Sequence, residues 1–143
     1  MILRAAILCL LGSPGTVIRH LLHTATLNWQ PFGYITIYEQ HLCPYGVVDT
    51  INLQAVNPGR PGLTRFTNDG IQVEVDSAEL EFAGTIYNVI LHELGHVLGF
   101  EHPEPPDSSI MSYRLPRTPK DDPYRVIRPD VWPAVQSNMS IRH

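Results

Sequence analysis

Two histidines four residues apart, His92 and His96, are the residues of this chain best placed to do chemistry. On a helix they project from one face, about 6 Å apart along the axis at ~1.5 Å per residue. Both imidazoles then reach a single ion at Zn–N distances of ~2.0–2.1 Å. Glu93 follows the first histidine, where it faces a water on the metal rather than the metal itself. A third ligand is needed, and a straight helix does not bring His102 to the ion. Gly99 supplies the change of direction, because glycine adopts the left-handed conformation that ends a helix and turns the chain back. Three neutral imidazoles leave a fourth position for water, the pattern of a catalytic rather than a structural zinc.

Seven histidines in 143 residues make His-Glu-x-x-His unremarkable by itself. Gly99 and His102 at fixed offsets lower the chance expectation to on the order of one in ten thousand. With Met111 nine residues beyond His102, the stretch resembles the metzincin signature of zinc metallopeptidases. The resemblance implies zinc ligands at His92, His96 and His102, a general base at Glu93, a turn glycine at Gly99 and a Met-turn methionine at Met111. Met111 is then a thioether floor beneath the imidazoles, not a ligand. Ser109 to Tyr113 is similar to the Met-turn of serralysins and astacins, whose tyrosine two residues after the methionine lies near zinc. Tyr113 inherits that role, a hydrogen bond to the tetrahedral intermediate, with packing beneath the site as the alternative. The short His102-to-Met111 interval looks like a matrixin, and His102-Pro103 like a serralysin, so the chain resembles the border of the two groups.

The implied activity is that of a zinc-dependent endopeptidase, in which Glu93 takes the proton of a metal-activated water as it attacks a peptide carbonyl. One alternative is a catalytically inactive zinc-binding interaction module on the same fold. The intact Glu93 argues against it, since a structural site needs no base. Another is a structural zinc closed by Glu101, Cys43 or Asp107.

Length and composition suit one domain: 143 residues, 43% hydrophobic and 17% charged. A net charge of −4 with no lysine or arginine run implies neither nucleic acid nor an anionic membrane as partner. No stretch is long enough to span a membrane, and a monomer is expected. Cys9 and Cys43 suit small buried hydrophobes and can also pair. The apolar run from Ala5 to Leu11, followed by Gly12-Ser13-Pro14-Gly15, has two readings: a short secretory signal within residues 1–15, or the first strand of the domain. The strand is favoured, because the first strand of a metzincin sheet is interior. A secreted or extracellular setting is expected.

The supporting elements follow from pattern. Thr16 is placed to cap a helix running to about Leu27, with Val17, Leu21, Leu22 and Ala25 as its buried stripe. His20 and His23 on that helix read as surface residues, as does His41. Tyr34 to Tyr38 and Val47 to Leu53 read as strands. Turn residues from Asn57 to Gly62 precede a short strand from Leu63 to Phe66, and Asn68-Asp69-Gly70 turns into the alternating Ile71 to Val75. The active-site helix is expected from near Thr85 to Leu98, with Ile86, Ile90, Leu94 and Val97 toward the sheet and Asn88, His92 and Glu93 on other faces.

That order also resembles a metzincin domain, although only residues 92–113 are specific. The expected fold is α+β and metzincin-like (zincin). It has a mixed twisted sheet with the active-site helix in residues 1–99 and a small irregular subdomain in 100–143. There, residues 114–124 wall a specificity pocket, and a closing helix begins near Pro129. The run from Gly62 to Phe66 becomes the edge strand along which a peptide or protein substrate lies. The connection before it has no histidine, so one catalytic Zn2+ is expected and no structural zinc. Asp76 and Glu79 keep a spacing that resembles a matrixin Ca2+ site, and Asp76 serves equally well as a cap. Asn138-Met139-Ser140 is a glycosylation sequon, relevant if the chain is secreted.

Overall fold

The computed structural model describes residues 4–54, 60–76, 83–102, 110–111 and 141–142. Its elements are β1 (Arg4–Leu11), α1 (Thr16–Trp29), β2 (Gly33–Glu39), a 3-10 turn (Gln40–Leu42), β3 (Thr50–Asn52), β4 (Gly62–Thr67), β5 (Gly70–Val75), α2 (Ala83–Val97) and β6 (Ile141–Arg142). They make an α+β fold around one mixed sheet, in the order β2-β1-β3-β5-β4-β6. Five strands form its body, and the two-residue β6 extends it.

The apolar N-terminal run is an interior strand. β1 pairs in parallel with β2 on one side and β3 on the other, Cys9 standing opposite both Tyr38 and Thr50. Parallel pairing requires a crossover, and α1 supplies the one between β1 and β2. β5 continues the parallel set beside β3, and β4 folds back antiparallel on β5 through the turn at Asn68 and Asp69. Thr67 stabilises that turn: its hydroxyl accepts from the Asp69 amide at 3.2 Å and donates to the Gly70 carbonyl at 2.9 Å.

α1 lies against β2, α2 lies against β4 and β5, and the helices touch each other, so both cover one face. The core between them includes Leu8, Ile51 and Val75 from strands, Trp29 from α1, and Ile90 and Leu94 from α2. No helix among the described residues is long and apolar enough to cross a membrane.

Several boundaries differ from the sequence reading. Gly15, not Thr16, takes the N-cap position of α1, and no side chain caps it. Val17 is exposed and Trp29 completes the buried stripe, because the first turn stands clear of the core while the last faces α2. β3 spans only Thr50–Asn52 of the expected Val47-to-Leu53 strand. Val47 is tied into a turn by its amide bond to the Pro44 carbonyl at 3.3 Å. The Asp49 carboxylate accepts from the Ile71 amide at 2.8 Å, an interaction outside the ladder. α2 begins two residues before Thr85, within the ordinary uncertainty of a helix end.

Cys9 and Cys43 form a disulfide with a Cα–Cα distance of 5.7 Å. It ties the buried end of β1 to the residue after the 3-10 turn. In a chain-entropy account, closing a loop of this size contributes on the order of 3–4 kcal/mol.

Strand β4 differs from the expectation in a way that bears on function. It is not the last strand: β6 pairs with it antiparallel, Thr64 opposite Arg142 and Arg65 opposite Ile141. The expected open edge from Gly62 to Phe66 is therefore covered at its centre by residues with no strand signal of their own.

Candidate metal centre

Every residue of α2 from Ile86 onward is buried, as are Leu98, Gly99 and Phe100. The histidines and Glu93 accordingly lie in the interior, not on an open cleft face: His92 is 2% exposed, Glu93 2% and His96 0%. His102 is only half-buried.

The turn that brings His102 back is a Schellman motif. Gly99 has φ +94°; its amide donates to the His96 carbonyl at 2.9 Å, and the Phe100 amide donates to the Gly95 carbonyl at 3.0 Å. The Arg4 guanidinium adds a bond to the Leu98 carbonyl at 2.6 Å, anchoring the helix end to β1. An L-residue at Gly99 meets steric resistance between its Cβ and the backbone. We expect Gly99→Ala to lose about 1–2 kcal/mol of stability in chemical denaturation, and to misplace His102, which is aimed by this turn.

The imidazoles converge. His92 Nε2 and His96 Nε2 each lie 3.2 Å from His102 Nε2. Three nitrogens on a tetrahedral ion at ~2.0–2.1 Å stand ~3.3 Å apart, so the spacing fits a single metal ion. Second contacts fix the rings. His92 Nδ1 lies 2.7 Å from the Ile110 carbonyl and His96 Nδ1 lies 2.8 Å from the Phe100 carbonyl. A carbonyl only accepts, so both Nδ1 atoms carry the proton and both Nε2 lone pairs point into the cluster. The Schellman turn thus does two things: it redirects His102 and presents the carbonyl that orients His96.

Met111, 0% exposed, packs its sulfur against the α2 backbone at Gly95, beside the Trp29 ring. Trp29 is pinned there by donating to the Leu91 carbonyl at 2.8 Å and by Phe100 and Phe32, with ring centroids 5.4 and 5.7 Å away. Met111 packs beneath the helix at Gly95. The support from Trp29 was not foreseen.

Glu93 is outside the histidine cluster, and its carboxylate is turned toward β4. Thr64, fully buried, donates its hydroxyl to Glu93 Oε1 at 2.7 Å. A Cβ at Gly62 would stand 2.7 Å from Glu93 Oε2 and 2.8 Å from Val89, so any larger residue there would have to displace the carboxylate or Val89. Burial pushes the Glu93 pKa up to about 8, with the Thr64 hydrogen bond opposing. A cation among the adjacent histidines pulls it back down.

Comparison with protein-family models, with curated proteins and with solved structures found no match. The site's own geometry carries the reading. His92, His96 and His102 are the group of potential metal-ligating side chains found among the described residues.

The other expected site residues fall differently. Cys43 is not available as a closing ligand, because its sulfur is bonded to Cys9. Asp76 is buried and bridges backbone-to-backbone with Gln54, while its amide donates to the Pro61 carbonyl at 2.9 Å. Its proposed calcium partner Glu79 lies outside the described residues. So do Tyr113, Asp107, residues 114–124, the closing helix near Pro129 and the sequon at Asn138. His20, His23 and His41 are exposed, as read from the sequence.

Proposed function

We propose that this chain is a zinc-dependent endopeptidase, with His92, His96 and His102 holding the ion and Glu93 acting as general base. The observation that carries the reading is the division of labour between neighbouring residues. Three Nε2 atoms converge, two of them with their tautomers set by backbone carbonyls. The carboxylate between them in sequence stays out of the cluster and is held by Thr64. A bound zinc ion would supply Lewis acidity, making a water nucleophilic near neutral pH and polarising the scissile carbonyl.

The chain's residues do the rest. Glu93 takes a proton on its carboxylate and delivers it to the leaving amine. Thr64 occupies one oxygen of that carboxylate, which limits its rotation and leaves the other oxygen for proton transfer. The ring orientations set by Ile110 and Phe100 keep two lone pairs aimed at one point without reorganisation. Tyr113 has as its proposed role a hydrogen bond to the tetrahedral intermediate. The Cys9–Cys43 bridge supports a secreted or extracellular setting. The inactive binding module is favoured by no contact in the site.

Hydrolysis of a broad peptide library with and without a zinc chelator tests the assignment: cleavage that the chelator abolishes supports it, and a zinc-loaded chain that cleaves nothing contradicts it. Thr64 gives a finer test. Thr64→Val should keep zinc and lower kcat about tenfold, since small misplacements of a catalytic group are costly, and Thr64→Ser should restore most of it. An unchanged kcat would make Thr64 a packing residue.

A further inference from the structure

We propose that β6 is an internal competitor for substrate, holding the outer edge of β4 so that an extended peptide reaches Glu93 only when Ile141 and Arg142 are displaced. The consequence for activity rests on the peptidase reading; the geometry does not. Along its inner edge β4 pairs with β5 over all of Gly62 to Thr67, whereas on the outer edge the pairing among the described residues is of β6 with Thr64 and Arg65. The covered stretch and the base are in direct contact. Thr64 donates to Glu93 at 2.7 Å, and Gly62, two residues along, leaves its Cα hydrogens facing the same carboxylate. Gly62 and Leu63 have no strand partner on the outer edge among the described residues.

A strand edge offers a row of backbone donors and acceptors to any extended chain, with little regard to its side chains. An incoming peptide that uses them beside Glu93 must run over Thr64 and Arg65, the positions β6 holds. The two pairs seen among the described residues are too few to be stable on their own. Because β6 belongs to the same chain, its pairing is intramolecular and competes with a free peptide without any loss of association entropy. A cover of this kind is displaceable, and it discriminates against weakly binding peptides.

The test is a titration that does not need hydrolysis. The probe is a capped hexapeptide of residues 138–143, Asn-Met-Ser-Ile-Arg-His. It is added to the wild type and to a chain carrying Ile141→Pro and Arg142→Pro, which removes the backbone donors of β6. The proline variant should bind the hexapeptide at least tenfold more tightly than wild type, with slowed hydrogen exchange in β4 and an unchanged zinc content. Ile141→Ala with Arg142→Ala keeps the backbone and should behave as wild type. If the proline variant does not fold, deletion of residues 141–143 makes the same comparison. Equal affinity for the two chains, or binding to neither, overturns the proposal. Failure of the wild type to hydrolyse any peptide would instead overturn the peptidase reading and leave this comparison intact.

Discussion

Glu93→Gln is expected to keep its zinc and its fold while hydrolysing peptides ~10²–10⁴-fold more slowly, the usual contribution of a general base. The geometry makes this a clean substitution. Glu93 is not a member of the histidine cluster, so no ligand is lost. The amide oxygen of glutamine can still accept the Thr64 hydroxyl, and the side chain fills the same buried volume between β4 and Val89. What disappears is the ability to take a proton. Burial holds the metal-free carboxylate at a pKa of about 8, so glutamine also removes a group that is costly to ionise there. In the metal-free chain a stability equal to or above wild type is therefore expected. Equal hydrolysis by the variant would place the activity elsewhere.

His96→Ala is the second large effect. It removes one of three ligands and leaves the Phe100 carbonyl, buried inside the Schellman turn, without its donor. An unsatisfied buried acceptor costs ~1–3 kcal/mol. The variant should come through dialysis without zinc, melt at a lower temperature and show only background hydrolysis. If it retained a full equivalent of zinc, the assignment of His96 as a ligand would be wrong.

What could be read from the sequence was what depends on local spacing. The distance from His92 to His96 is one helical turn, and Gly99 carries a positive φ that few other residues accept, so the convergence of the three histidines and the turn between them were legible. Alternation in Ile71 to Val75 and the β-branched run from Tyr34 to Tyr38 likewise gave β5 and β2. Thr64 and Trp29 were missed because their roles exist only in the folded chain. Twenty-nine residues separate Thr64 from Glu93, and no periodicity connects a strand hydroxyl to a carboxylate on a helix. β6 could not be found either: two residues are too few for a pattern, and their strand character comes from the edge of β4. β3 was overextended because Val47 and Val48 have strand propensity, while tertiary bonds at Asp49 and a turn at Pro44 decide their backbone. The cysteines were open to either state for the same reason, since pairing depends on β1 and the 3-10 turn meeting.

X-ray absorption at the zinc edge of the dialysed protein measures the proposed open, three-histidine zinc centre directly. The result expected is one zinc per chain bound by three imidazole nitrogens at ~2.0–2.1 Å with one further light ligand that exchanges with solvent. A fourth protein ligand in place of that exchangeable one, a sulfur in the coordination sphere, or no zinc at all would contradict it.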